Sequence, residues 1–182
     1  MTIAVVYESM YGNTHEIAAA IAAGLETVGP VELMPLAAAV PRVHGDGDLL
    51  VVGGPTHIHG MSRAASRDSA VEVAEKDDEI ELATDAPGPG LREWLADLPK
   101  GDGAFAAAFD TRIDKPQIIT GSAARGIAKQ LRHHHYASLS EPASFLVEDS
   151  EGPLKDGEVE RARQWGAELG RRWSDQHTPS SR

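Results

Sequence analysis

The stretch that decides the fold of this chain is IAVVYESMYGNTHEIAAAIAAGL, from Ile3 to Leu25. It opens with a run of Val and Ile residues, which is typical of a β-strand that is buried on both faces. It closes with Ile17, Ile21 and Leu25, whose spacing places them along one side of an α-helix. The stretch therefore predicts a strand, a turn and a helix in direct succession.

The turn between this strand and this helix is rich in hydroxyl groups and backbone N–H groups. The first N–H groups of a helix have no partner within the helix, and the helix dipole makes that end electropositive. Together with side-chain hydroxyls, these groups suit a phosphate. The residues that we expect to bind the phosphate are Ser9, Met10, Tyr11, Gly12, Asn13 and Thr14.

The residue types that the turn lacks narrow the choice of phosphate compound. A loop for a nucleoside triphosphate would carry a Lys followed by Ser or Thr, but the first Lys of this chain is Lys76. A dinucleotide-binding fold would carry three spaced glycines, but the turn has only Gly12. A loop without a cation suits a single terminal phosphate, which points to FMN. The alternative is a plain capped helix start, with Asn13 as the N-cap and Glu16 in the capping-box position.

A second unusual loop, GGPTHIHGMSR from Gly53 to Arg63, follows the apolar run from Leu49 to Val52. This loop and the motif SMYGNT together resemble the flavodoxin-like proteins, especially the branch that includes flavodoxin-like NAD(P)H:quinone oxidoreductases. The order of elements resembles the family over nearly the whole chain, whereas specific residues match only at these two loops. The resemblance implies an α/β fold with a flavodoxin-like, doubly wound, five-stranded parallel sheet in the order 2-1-3-4-5 and helices on both faces.

The resemblance also implies where the flavin ring binds. The residues that would line the ring are Pro55, Thr56, His57, Ile58 and Gly60. By position, a third loop after the fourth strand would also contact the flavin, although its residues do not match the usual patterns of the family: Phe109, Asp110, Thr111 and Arg112. His57 and His59 alone make a poor metal site, because no nearby Asp, Glu or Cys completes it. We therefore expect no metal.

Arg112 is open to two interpretations. Its guanidinium could stabilise the negative charge that reduction places on the N1–C2=O2 edge of FMN. Alternatively, it lies on a surface loop in an ion pair with Asp110 or Asp114, an arrangement that contributes little to stability. The second interpretation has a small advantage, because a side chain on a loop can point either way.

The rest of the sequence predicts one domain over residues 1–174 and a disordered tail over residues 175–182. Apolar spacing predicts helices over 91–98 and 121–132, and it places Trp94 in the core. An edge strand is expected within residues 136–147, where Pro142 is tolerable. Residues 64–90 contain an acidic run and several breakers, which indicate a loop that is a candidate lid or partner surface.

Composition limits the classes of function. The formal net charge of -11 argues against nucleic acid as a partner and suits a basic redox partner. The chain has no Cys, which excludes thiolate chemistry and Cys-based metal sites. No apolar run is long enough to span a membrane, and the first strand begins too early to leave room for a signal peptide. We therefore expect a cytoplasmic protein, and the sequence leaves open whether it is a homo-oligomer.

These observations together predict an FMN-binding redox protein. It would act either as a small electron carrier for a partner protein or as an NAD(P)H-dependent reductase of quinone-like small-molecule acceptors. Neither ring-binding loop offers a Trp or Tyr to cover the flavin ring, so we expect an exposed ring and reductase behaviour. The alternative from another class is a flavodoxin fold that has lost its cofactor and acts as a binding or structural module.

Overall fold

Six parallel strands form one sheet in the computed structural model of the chain, which describes residues 1–56, 60–61, 90–149 and 152–177. The strands are β1 (Ile3–Tyr7), β2 (Val31–Pro35), β3 (Leu49–Pro55), β4 (Phe105–Ile113), β5 (Ala137–Ser138) and β6 (Ala143–Val147). Their order is β2-β1-β3-β4-β5, and β6 also pairs with β4. The predicted parallel sheet and its strand order are confirmed.

Helices cover both faces of the sheet, as predicted. They are α1 (Asn13–Leu25), α2 (Leu91–Asp97), the short α3 (Gln117–Thr120), α4 (Ala123–His133) and α5 (Glu158–His177). The buried side chains of α1 and α5 share a core with one face, and those of α2 and α4 share a core with the other. None of these described helices is long and apolar enough to cross a membrane.

The boundaries of the helices agree closely with the sequence pattern. Trp94 is buried in the core of the α2 and α4 face, where its indole N–H donates to the carbonyl of Ala39 at 2.5 Å. Helix α5 continues to His177, three residues into the segment where the sequence predicts a disordered tail. The predicted acidic loop over 64–90 lies outside the described residues except for Gly90.

The edge of the sheet beside β4 differs from the prediction of five strands. Ala137 of β5 pairs with Phe105, and Ala143 of β6 pairs with Phe109. The edge chain therefore advances six residues while β4 advances four, and the two additional residues break the edge strand into two. Pro142 lies directly before β6, and it has no N–H group to donate to the ladder of β4.

Helices α1 and α5 cross at very close range because both carry a glycine at the crossing. A Cβ atom on Gly24 would lie 2.1 Å from the carbonyl oxygen of Arg163, and one on Gly166 would lie 2.2 Å from that of Ile21. These distances are far below van der Waals contact, so the two backbones touch. The crossing fixes α1, and with it the turn at the start of α1, against the rest of the domain.

The register of the central strands aligns the carboxyl ends of β1, β3 and β4. Tyr7 pairs with Gly53, and Gly53 pairs with Phe109. Ligands of open α/β sheets bind outside the carboxyl ends of strands, where the order of winding reverses. In this sheet that point lies between β1 and β3, which places both predicted binding loops on the same edge.

Candidate functional site

The turn before α1 has an open, glycine-led geometry. Helix α1 begins at Asn13, and Gly12 occupies the N-cap position with a left-handed φ of 88°. The alternative interpretation named Asn13 as the N-cap, which is wrong, because the N-cap is Gly12. A Cβ atom on Gly12 would meet nothing within 4 Å. The start of α1 thus carries no side-chain cap from its N-cap residue, and the space beside it is open.

The hydroxyl groups of this turn are buried on its inner side. Ser9 and Thr14 are each 2 % exposed, and Ser9 Oγ lies 3.4 Å from the backbone N–H of His15. Met10 is also buried, at 2 % exposed. Tyr11, Gly12 and Asn13 are half-buried. Four of the six predicted phosphate-binding residues, from Ser9 to Gly12, thus lie in the turn, and Asn13 and Thr14 open α1.

His15 is a polar residue of this region that the sequence analysis did not single out. Its Nδ1 atom lies 2.6 Å from the hydroxyl oxygen of Tyr7, and the two rings are tilted with centroids 5.1 Å apart. It is the only basic side chain among the first 41 residues of the chain. This isolated position was the feature of the sequence that could have identified His15 as a candidate site residue.

The second predicted loop begins at the end of β3, where Thr56 makes three hydrogen bonds. Its backbone N–H donates to the carbonyl of Thr111 at 2.8 Å. Its hydroxyl donates to Asp110 Oδ2 at 3.0 Å and accepts from the backbone N–H of Ala123 at 2.9 Å. Pro55 precedes it as the last residue of β3 and is half-buried. These bonds fix the start of the loop against both β4 and α4.

The middle of the second loop lies outside the described residues, so the predicted contacts of His57 and Ile58 remain predictions. The chain is described again at Gly60 and Met61. Arg92 of α2 donates from Nε and Nη2 to the carbonyl of Met61, at 3.3 and 3.2 Å. Met61 is therefore held against α2.

Asp110 is a buried junction between β3, β4 and α4. The residue is 0 % exposed. Its Oδ2 atom accepts from the hydroxyls of Thr56 and Ser122, at 3.0 and 2.7 Å, and from the backbone N–H of Ala124 at 2.9 Å. Among the described residues, its Oδ1 atom has no hydrogen-bond partner. The carboxylate thus caps α4 and holds the first residue of the second loop.

The other residues of the predicted third loop belong to β4, because this strand continues to Ile113. Phe109 is fully buried, and its ring packs against the rings of Phe145 and Trp165. It also fills the space that a side chain on Gly53 would need, since a Cβ there would lie 2.1 Å from the ring. Phe109 therefore packs under this edge of the sheet, in the core that the sheet shares with α1 and α5.

Arg112 binds carbonyl groups at the end of β4 and just after it. Its Nη1 atom donates to the carbonyl oxygens of Ile113 and Lys115, at 3.3 and 2.7 Å. Asp114 pairs instead with Lys155. The Nε atom of Arg112 is buried and has no hydrogen-bond partner within the described part of the chain. The guanidinium thus closes the loop after β4, an arrangement that neither of the two interpretations foresaw.

Thr111 points to the opposite side of β4 from Asp110 and Arg112, as strand alternation requires. Its hydroxyl oxygen lies 2.8 Å from that of Thr14, and this buried contact joins residues 97 positions apart. The site thus combines hydroxyls, backbone N–H groups and a buried carboxylate at one edge of the sheet. Hydroxyl and N–H groups at a helix start can bind an anion without a metal or a Lys. Across the described residues, no group of three or more His, Asp or Glu side chains is placed to hold a metal ion.

Comparisons with known proteins find similarity at the level of the fold. A flavodoxin from the domain Archaea is 18 % identical, with a TM-score of 0.59, and the match covers 96 % of this chain and 99 % of that one. Oxidised flavodoxin 2 from Bacillus cereus is 16 % identical, with a TM-score of 0.60 and coverage of 97 % and 99 %. The flavodoxin, WrbA-like protein from Agrobacterium tumefaciens is 18 % identical, with a TM-score of 0.55 and coverage of 97 % and 99 %. No protein-family model and no curated protein sequence matches the chain.

Proposed function

Because the chain has a flavodoxin-like fold, we propose that it binds FMN at the carboxyl edge of β1, β3 and β4 and takes part in electron transfer. The observation that carries this proposal is the start of α1, where Gly12 leaves the first helical turn open beside the buried hydroxyls of Ser9 and Thr14. This turn lies at the edge where open α/β sheets bind their ligands. A phosphate monoester is the group that such a turn suits best.

The residues present fit FMN in three respects. The open position at Gly12 leaves room for a phosphate beside the helix start. The first 41 residues hold no Lys or Arg, which suits one terminal phosphate better than a polyphosphate. A buried acceptor on β4, Asp110 Oδ1, lacks a partner among the described residues. A flavin ring carries an N–H group that complements such an acceptor.

Each part of the site has a distinct task under this proposal. The residues from Ser9 to Thr14 bind the phosphate through hydroxyl and backbone N–H groups. Pro55, Thr56 and the following residues to Gly60 line the ring, and Asp110 holds Thr56 in place through its carboxylate. The bound FMN would supply the redox chemistry, because a flavin can exchange either one or two electrons.

We infer the electron donor and acceptor from the chemistry of the flavin and from the net charge of the protein. We propose that electrons pass to a redox partner protein or to a small quinone-like acceptor, with NAD(P)H as a candidate donor. The net charge of -11 favours a basic protein surface as the protein partner. Steady-state oxidation of NAD(P)H in the presence of a quinone distinguishes the reductase from the carrier.

The test of FMN binding is a fluorescence titration of the protein with FMN, compared between two matched glycine variants. Gly12 and Gly157 both precede helices with positive φ, 88° and 83°, and an added Cβ would meet nothing within 4 Å at either position. Each Gly→Ala change costs about 1–2 kcal/mol of backbone strain. Only Gly12 lies in the predicted phosphate turn.

We expect the wild-type protein to bind one FMN. Gly12→Ala should weaken binding by up to about 30-fold, because an Ala in the unoccupied turn relaxes out of the left-handed conformation and phosphate binding must restore it. Gly157→Ala should leave FMN affinity unchanged. Equal affinities in the two variants would place the phosphate elsewhere, and a wild-type protein that binds no FMN would support the binding or structural module instead.

A further inference from the structure

Thr111 makes a contact that its position in the sequence did not predict. The third-loop prediction assigned this residue to the flavin, but its side chain lies on the α1 side of β4 and is 5 % exposed. Its hydroxyl oxygen is 2.8 Å from that of Thr14, which is itself 2 % exposed. The contact therefore joins β4 to the first turn of the helix that begins at the phosphate site.

The contact constrains how Thr14 can use its single hydroxyl proton. A Thr hydroxyl has one proton to donate and two lone pairs that accept. When Thr111 donates to Thr14 Oγ1, the proton of Thr14 stays available for another acceptor. In the reverse arrangement, Thr14 spends its proton on Thr111. An anion beside the start of α1 favours the first arrangement, because it is the stronger acceptor.

We propose that Thr111 is a positioning residue that directs the hydroxyl proton of Thr14 towards the FMN phosphate. This inference rests on the proposed function and assigns the residue a part in selecting phosphorylated flavin over riboflavin. The hydrogen bonds run in one direction, from Thr111 to Thr14 to the phosphate. Such chains strengthen each member, because each donor polarises the next.

Thr111 also connects the two parts of the site through its backbone. Its carbonyl accepts the N–H of Thr56 at 2.8 Å, at the start of the ring-binding loop. A change confined to the side chain leaves this backbone bond in place. The hydroxyl can therefore be removed without removing the support of Thr56, and the phosphate part of binding can be measured separately from the ring part.

The experiment compares FMN and riboflavin affinities in wild-type protein and in Thr111→Val, which removes the hydroxyl and keeps the shape of the side chain. FMN affinity should fall roughly 3- to 10-fold, as expected for one lost hydrogen bond, while riboflavin affinity stays unchanged. Thr111→Ser should restore the ratio of the two affinities. The double variant with Thr14→Val should bind FMN no more weakly than Thr14→Val alone, because both changes interrupt the same chain.

The outcomes separate this inference from the proposed function. An equal loss of FMN and riboflavin affinity in Thr111→Val, or no loss of either, would overturn the role of Thr111 while FMN binding stands. A wild-type protein that binds neither flavin would overturn both. If Thr111→Val does not fold, Thr111→Ala removes the same hydroxyl without an apolar branch facing Thr14, and the same affinity ratio decides.

Discussion

Replacing Asp110 by Ala should destabilise the protein more than any change of a surface carboxylate. Its Oδ2 atom accepts hydrogen bonds from Thr56, Ser122 and the backbone N–H of Ala124, and the residue has no exposed surface. The two hydroxyls can rotate to other acceptors, but the N–H of Ala124 cannot.

The expected cost follows from these bonds. A stranded buried N–H costs roughly 1–3 kcal/mol. The free energy of unfolding should therefore fall by about 1–3 kcal/mol in Asp110→Ala. Asp110→Asn keeps one acceptor oxygen and gives up the charge, so it should cost less, about 1–2 kcal/mol.

The assay is urea denaturation at pH 7, followed by the fluorescence of the three Trp residues. Asp114→Ala is the matched control, because Asp114 follows the same strand but is exposed, and its ion pair with Lys155 lies at the surface. Its denaturation midpoint should equal that of the wild type. A loss below about 1 kcal/mol in Asp110→Ala would refute the assignment of Asp110 as the junction of β3, β4 and α4.

Three further predictions concern the packing, the pH dependence and the loop after β4. Gly166→Ala should cost about 1–3 kcal/mol of unfolding free energy, because its Cβ would lie 2.2 Å from the carbonyl of Ile21. Burial, with Arg42 nearby, lowers the pKa of His44 below its usual 6.5. Below pH 6.5 the unfolded chain therefore takes up a proton that the folded protein excludes. The free energy of unfolding should decrease as the pH is lowered, by at most about 1.4 kcal/mol per pH unit, and His44→Gln should remove this contribution. Arg112→Ala should leave FMN affinity unchanged within threefold, roughly the effect of a weak hydrogen bond, since its guanidinium binds the carbonyls of Ile113 and Lys115.

Controls and contrary results for these variants can be read in the same assays. In Gly170→Ala the new Cβ would lie 3.0 Å from a Val28 methyl group, which can move, so its cost should be smaller than that of Gly166→Ala. An unaltered acid slope in His44→Gln would contradict the role of burial. A tenfold loss of FMN affinity in Arg112→Ala would return that residue to the flavin site.

The sequence was sufficient for the sheet because buried parallel strands require continuous apolar runs. The runs that became β1, β3 and the first half of β4 lack charged residues, so the existence of these strands could be predicted, whereas their order in the sheet followed from the resemblance to the flavodoxin-like proteins. The end of β4 could not be predicted, because Asp110 and Arg112 look like loop residues. In the structure they continue the strand to Ile113 and lie on one face of it, opposite Thr111.

The contacts that organise the candidate site join residues distant in sequence, which no local pattern shows. Thr14 and Thr111 are 97 positions apart, and Thr56 meets a backbone N–H of α4 67 positions away. The N-cap at Gly12 was also missed, because a positive φ cannot be read from a turn that offers both Gly and Asn. The edge strand splits because of its register with β4, and in the sequence only Pro142 indicated such a break.

The measurement that tests the central claim most directly is the visible absorption spectrum of the purified protein. Protein incubated with equimolar FMN and passed through a desalting column should keep the yellow absorption of oxidised flavin, at about one flavin per chain. The same treatment with riboflavin should leave less colour, because riboflavin lacks the phosphate that the turn from Ser9 to Thr14 binds. A colourless protein after incubation with FMN would contradict the assignment of this edge of the sheet as a flavin site.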